Sequence, residues 1–142
     1  MNIAKGRVNE FCQGAPTDIK LLLLSAISVQ ATIEDFDTVA ALLADPGTTE
    51  ANFTGYTGTR PTLANVAVTT DDSGNSQFAS ADDIVIDPAG GATNDTVVAA
   101  IVYKEVTTDA DSIPLTQSDL SFTTTGTALT IKFPVGGFFA AS

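Results

Sequence analysis

The sequence predicts a mainly β protein, a single-domain β-sandwich or jelly-roll-like fold with one early α-helix and an N-terminal arm. Three observations lead there. The run Thr96-Val97-Val98-Ala99-Ala100-Ile101-Val102-Tyr103 is apolar at nearly every position, and its β-branched and aromatic side chains suit a pleated surface better than a helix. A strand apolar on both faces needs cover on both, so this run belongs at the centre of the core. After Pro46, short apolar segments recur between clusters of turn residues, roughly every 8–12 residues, as strands of a sandwich do. Before Pro46, one stretch keeps a helical period instead. At 142 residues the chain is long enough for one domain with a real core. It divides into an arm over 1–17 and a β-rich domain over 18–142, with no internal repeat and no linker.

The arm mixes Lys5, Arg7 and Glu10 with Ile3, Val8 and Phe11 at a loosely helical spacing and ends in Gly14-Ala15-Pro16. Residues 19–29 read as a strand through the alternation of Ile27 and Val29, although the four leucines Leu21–Leu24 would also suit a helix. The one helix is placed over 33–44. Thr32 stands as its N-cap with Asp35 as a weak capping-box partner, and Ile33, Phe36, Val39, Ala40 and Leu43 form its apolar stripe. Asp45-Pro46-Gly47 ends it. Asn52 to Thr57 alternates aromatic with small polar residues and reads as a strand, as does Leu63 to Val68. Asp71-Asp72-Ser73-Gly74-Asn75 is a turn, and Asp83 to Asp87 holds another strand. Past the central run, three segments follow: Ile113-Pro114-Leu115, Leu120-Ser121-Phe122 and Ala128 to Phe133. The last two flank Thr124-Thr125-Gly126 at hairpin spacing.

Seventeen acidic against six basic residues leave a net charge of −11, which opposes the phosphate backbone of nucleic acids. The longest apolar stretch, Ile19 to Val29, carries Lys20, Ser25 and Ser28 and falls short of a membrane span. Neither nucleic acid nor membrane is an expected partner. A signal-peptide reading (Lys5 and Arg7, then Leu21–Leu24, then small residues near Ala31) is opposed by Glu10, Asp18 and the short apolar core.

The residues that carry common chemistries are missing. Without histidine there is no Ser-His or Cys-His pair, no two-His zinc motif and no ordinary proton shuttle at neutral pH. Cys12 is the only cysteine, so neither a disulfide framework nor a thiolate metal site is expected. No phosphate-binding glycine loop or nucleophile elbow occurs. Asp82, Asp83, Asp87, Asp95, Asp109 and Asp111 lie beside Gly, Ser, Thr and Pro, where Asp closes turns through its own backbone bonds. Asp71, Asp72, Ser73 and Asn75 crowd oxygens as a calcium loop would, as do Asp109 and Asp111. Neither cluster has the Gly and final Glu of the twelve-residue pattern, and both read as solvated loop tips. The expectation is a protein that is not an enzyme and has no cofactor and no metal.

The two ends of the chain are the candidate partner-binding elements. The arm contributes Ile3, Arg7, Val8 and Phe11, and the apolar ending contributes Phe138 and Phe139, an adjacent pair that would be sticky if left in water. The alternative is that the ending folds back as the last strand of its own core. Several stretches resemble small virion structural proteins of tailed bacteriophages: Asn2 to Phe11, Asp35 to Ala44, Asn52 to Tyr56, Ala89 to Thr96, and Pro114-Leu115-Thr116 with Gly137 to Ser142. Where the family pattern has an Arg-Lys pair after a tyrosine, this chain has Thr57-Gly58. The resemblance implies a non-enzymatic component of a phage particle, a head decoration or cement protein on the outside of the major capsid protein lattice. It would be assembled in the host cytoplasm, as a homo-oligomer with the major capsid protein or other virion proteins as partners. The negative charge would be tolerated on the outer capsid surface and disfavoured against packaged DNA. Two other readings share the composition: a fibre or spike recognition module, with Phe53, Tyr56 and Tyr103 as its stacking rings, and a head–tail connector or tail-associated protein.

Overall fold

A computed structural model describes residues 18–29, 32, 35–71, 76–134 and 139–141. The described chain is mainly β, with antiparallel sheets and one short helix. Its elements are β1 (Ile19–Ala26), α1 (Val39–Ala44), β2 (Thr49–Glu50), β3 (Ala67–Asp71), β4 (Ser76–Ser80), β5 (Ile84–Ile86), β6 (Thr96–Lys104), β7 (Ile113–Thr123), β8 (Leu129–Ile131) and β9 (Phe139–Ala141).

The apolar run Thr96–Tyr103 is β6, and it is central. The main sheet runs β2-β1-β6-β7, with β1 and β6 as its inner strands. Their register pairs Leu21 with Val102, Leu22 with Ile101, Leu23 with Ala100 and Leu24 with Ala99. Strand alternation then sends the four leucines to both faces. Leu21, Leu23, Val97, Ala100 and Val102 pack against Phe53, Tyr56, Leu63, Ile84 and Ile86 on one side. Leu22, Leu24, Ala99, Ile101 and Tyr103 pack against Val39 and Leu42 of α1 on the other. Burying each leucine contributes roughly 1.5–3 kcal/mol, so both layers depend on this strand pair. The layer opposite α1 is a two-stranded ribbon, β5–β8, completed by the turns around Phe53 and Leu63. A third sheet, β3-β4-β9, brings the C-terminal strand onto β4, with Phe139 opposite Ala79.

Five local expectations are corrected. Of the helix placed over 33–44, Ile33 and Glu34 lie outside the described residues, while Asp35 to Thr38 are not helical and α1 starts at Val39. Thr38 is the cap: its backbone is extended and its Oγ1 accepts from the Ala41 N–H at 3.1 Å. A side chain that bonds the helix end from outside competes with continuing the helix through that residue. Residues 52–57 form a turn, in which the N–H groups of Tyr56 and Thr57 both donate to the Phe53 carbonyl. The aromatic spacing that suggested a strand instead stacks Phe53 on Tyr56, centroid to centroid at 5.2 Å. The strand placed over Leu63 to Val68 begins only at Ala67, because Leu63 is tied to the Ile19 carbonyl and Asn65 sits in the left-handed region at φ 52°. Ile113 to Leu115 and Leu120 to Phe122 are one strand, β7, with two register shifts against β6. Pro114 is tolerated there because β7 is an edge strand.

The hairpin placed around Thr124-Thr125-Gly126 does not form either. The Thr124 N–H donates to the Asp95 carbonyl and the Gly126 N–H to the Ala89 carbonyl, which seats this turn on the 89–95 loop. The chain leaves the main sheet there, and β8 pairs with β5 instead of β7.

Two glycines of the 52–60 loop separate backbone strain from crowding. Both have positive φ, 91° at Gly55 and 74° at Gly58. A Cβ on Gly55 would collide with the backbone carbonyl of Pro88, whereas one on Gly58 would meet nothing within 4 Å. Gly58→Ala should therefore lower stability by only the roughly 1–2 kcal/mol of a left-handed alanine. Gly55→Ala should lower it by clearly more, because a carbonyl in the backbone has to move. Denaturant midpoints measure both, and equal losses would show that the loop does not rest on Pro88.

Candidate functional site

The outer edge of β1 is only partly covered by a strand. β2 pairs with its C-terminal half at Leu24 and Ala26, and Thr62 forms a single bridge opposite Lys20. Between those points the chain bulges away from β1 as the 52–60 loop, which would leave a buried N–H without a partner. Tyr56 closes the gap: its hydroxyl accepts from the Leu23 N–H at 2.9 Å and donates to Glu50 Oε1 at 3.1 Å. The neighbouring backbone bonds, Ala51 N–H to the Leu23 carbonyl and Leu21 N–H to the Pro61 carbonyl, fix the two ends of the bulge. A side chain here supplies the hydrogen bond that a strand would otherwise supply.

That bulge walls a groove of about 500 Å³ beside the start of β1 and the end of β6. Arg60 crosses it. Its Nε and Nη2 donate to Glu50 Oε1 and Oε2 at 2.8 and 2.7 Å, a two-pronged pair, and its Nη1 donates to Asp109 Oδ1 at 2.6 Å. The guanidinium carbon lies 5.8 Å from the centroid of the Tyr103 ring. Lys20 pairs with Glu105 at 2.7 Å on the same groove. Asp109 belongs to a loop that also caps α1, since the carbonyls of Asp109 and Ser112 accept from the Ala40 and Val39 N–H groups. Arg60 thus ties the bulge on β1 to the start of the helix.

The electrostatics follow from burial and these partners. The Glu50 hydrogen bonds raise the Arg60 pKa against the opposing effect of desolvation. Burial pushes the Tyr56 phenol up, with Glu50 adding to the rise and the Leu23 N–H opposing it. Burial also raises Tyr103, and the Arg60 guanidinium beside it opposes that rise, although the two do not meet in hydrogen-bonding geometry and Tyr103 Oη is buried without a partner among the described residues. Neither phenol is therefore a ready proton acceptor at neutral pH.

Of the residues expected to bind partners, Ile3, Arg7, Val8, Phe11 and Phe138 lie outside the described residues. Phe139 is the first residue of β9, so its backbone completes a sheet of the fold. Asp72, Ser73 and Asn75 of the first calcium-like cluster also lie outside. In the second, Asp109 serves Arg60 and Asp111 Oδ2 accepts from Thr108 Oγ1. Among the described residues no group of three His, Cys, Asp or Glu side chains has the arrangement to hold a metal ion. Phe53, Tyr56 and Tyr103 are all buried, so none offers a ring face to a sugar. The sequence reading passed over Arg60, although it is the only Lys or Arg between Lys20 and Lys104 and so the one cation near the middle of an acidic chain. No family model, curated protein or solved structure matches the chain.

The chain has two tyrosines, and both have a raised pKa in the fold, so the protonated phenols contribute stability. That contribution is complete below the ordinary tyrosine pKa of about 10 and is lost as pH climbs above it toward the folded values. Absorbance at the phenolate band should show no step near pH 10 while circular dichroism still reports the fold. Ionisation should come later, together with alkaline unfolding. A full tyrosine equivalent titrating near pH 10 in the folded protein would contradict the burial of these hydroxyls.

Proposed function

We propose that the chain is a non-enzymatic structural component of a tailed-phage particle, a decoration or cement protein that binds the outside of the major capsid protein lattice. The observation that carries this reading is how the groove spends its charged groups. Arg60 is held by Glu50 and Asp109, Lys20 is held by Glu105, and both phenols have raised pKa values. Such a set braces loops: each cation is held by carboxylate, and among the described residues no histidine or thiol stands beside them, which favours a rigid assembly part over a catalyst. The resemblance of the arm, the 52–56 stretch and the ending to small virion proteins supports the same class, and the net charge of −11 suits a surface facing away from packaged DNA. The burial of Phe53, Tyr56 and Tyr103 counts against the fibre or spike reading. Partners in this proposal are the major capsid protein or another virion protein, with further copies of the chain itself.

An averaged image of purified virions should place the chain on the outer capsid surface. Density only at the head–tail junction or on a fibre would move it to one of those sites, and absence from the virion would end the proposal. Deleting residues 2–11 should leave the domain folded and lower particle occupancy at least several-fold. Phe138→Ser and Phe139→Ser, made separately, should do likewise; if they fail to fold, the ending belongs to the core and only the N-terminal arm remains a docking candidate. Wild-type occupancy for all three variants would show that the chain ends are not the docking elements.

A further inference from the structure

We infer that the groove beside Arg60 is a docking site for an arginine side chain of a protein partner. Three carboxylates (Glu50, Glu105, Asp109) and two cations (Lys20, Arg60) line it, so the groove keeps one net negative charge. The exposed ends of its ion pairs are the acids: Glu105 and Asp109 side chains are 39% and 40% exposed, against 24% for Lys20 and 18% for Arg60. Each of these two acids uses one oxygen internally. Glu105 Oε2 meets Lys20 and Asp109 Oδ1 meets Arg60, which leaves Glu105 Oε1 and Asp109 Oδ2 without a hydrogen bond among the described residues.

The floor carries a second unmet group. Tyr103 is fully buried, its hydroxyl has no hydrogen-bond partner among the described residues, and the residue lines the same groove. A buried polar atom without a partner is uncommon and points to a group that is missing from the site. An entering cation finds two open carboxylate oxygens at the rim; the Tyr103 hydroxyl lies beneath them, with its oxygen buried. The planar fork of a guanidinium serves separate acceptors at once, where an ammonium acts as a point charge. Asp109 would then stand between the partner's guanidinium and Arg60 and screen their repulsion. Other acids lie elsewhere: Asp82 also engages one oxygen, with Asn65, and Asp95 engages both, with Asn52 and Thr96, but neither lines this groove.

This inference deepens the docking proposal by naming the chemistry of a partner group, and it is tested without a particle so that either can fail alone. The probe is the blocked tripeptide acetyl-Gly-Arg-Gly-amide, titrated into the full chain and followed by amide chemical shifts. Its comparator contains citrulline, which keeps the shape and removes the charge. The arginine peptide should shift Thr57, Gly58, Glu105 and Asp109 with saturation on the order of millimolar, as expected for a single partly exposed charge contact. The Asp82 and Asp83 amides should stay in place. The citrulline peptide should bind at least tenfold more weakly, and so should the arginine peptide to the double variant Glu105→Gln, Asp109→Asn. Equal response to citrulline, equal shifts at Asp82 and Asp83, or undiminished binding by the folded double variant would each overturn the inference. If the double variant does not fold, the two peptides on the wild-type chain still decide.

Discussion

The hydroxyl of Tyr56 meets a requirement that the rest of the architecture creates. β1 is buried on both faces, so every backbone group along its edges needs a partner within the protein. On the β6 side the ladder supplies them. On the other side the covering chain pairs at 49–51, leaves, and returns at 61–63, and Leu23 faces the gap. Tyr56 reaches into that gap, accepts a hydrogen bond from the Leu23 N–H and donates one to Glu50. An orphaned N–H at that depth would cost about 1–3 kcal/mol, and the loop is shaped around avoiding it.

The charges of the groove are a consequence of the same arrangement. Glu50 follows directly in β2 and receives both the tyrosine hydroxyl and the guanidinium of Arg60. Arg60 sits just before the chain rejoins β1, so the pair closes the bulge at its base. From there Asp109 extends the link to the loop that caps α1, the element covering the opposite core. One cation thus couples the β1 edge to the helix layer. A partly exposed network of this kind contributes less than the roughly 3–5 kcal/mol lost on breaking a fully buried pair, and its larger effect is on geometry. It holds the walls of the groove at fixed separation, and it turns the spare carboxylate oxygens outward.

The legible part of the fold was the part governed by burial. Thr96–Tyr103 reads as a central strand because no polar residue interrupts it, and it is one of the two inner strands of the main sheet. Leu21–Leu24 gave no clear period, and the reason is now physical: alternate leucines serve two different cores. What was illegible depends on single polar contacts across long separations. The helix starts late because Thr38, not Thr32, supplies the cap, and both threonines precede similar apolar spacing. The 124–126 turn looks like a hairpin until Asp95 and Ala89 claim its N–H groups. The groove was hidden for the same reason, since Glu50, Arg60 and Asp109 meet only after folding, with 10 and 49 residues separating Arg60 from its partners. An isolated arginine in an acidic chain was the one available signal.

The central claim, that a tyrosine hydroxyl stands in for a missing strand partner, is tested most directly by amide exchange at Leu23. In the wild-type chain Leu23 should be protected like Leu22 and Leu24, whose edge of β1 faces β6. Tyr56→Phe keeps the ring and removes only the hydroxyl. Exchange at Leu23 should then accelerate on the order of tenfold or more, the rate equivalent of losing one buried hydrogen bond, while Leu22 and Leu24 stay slow. Unchanged protection of Leu23 in Tyr56→Phe would contradict the account, because the N–H would have to be held by something other than this side chain.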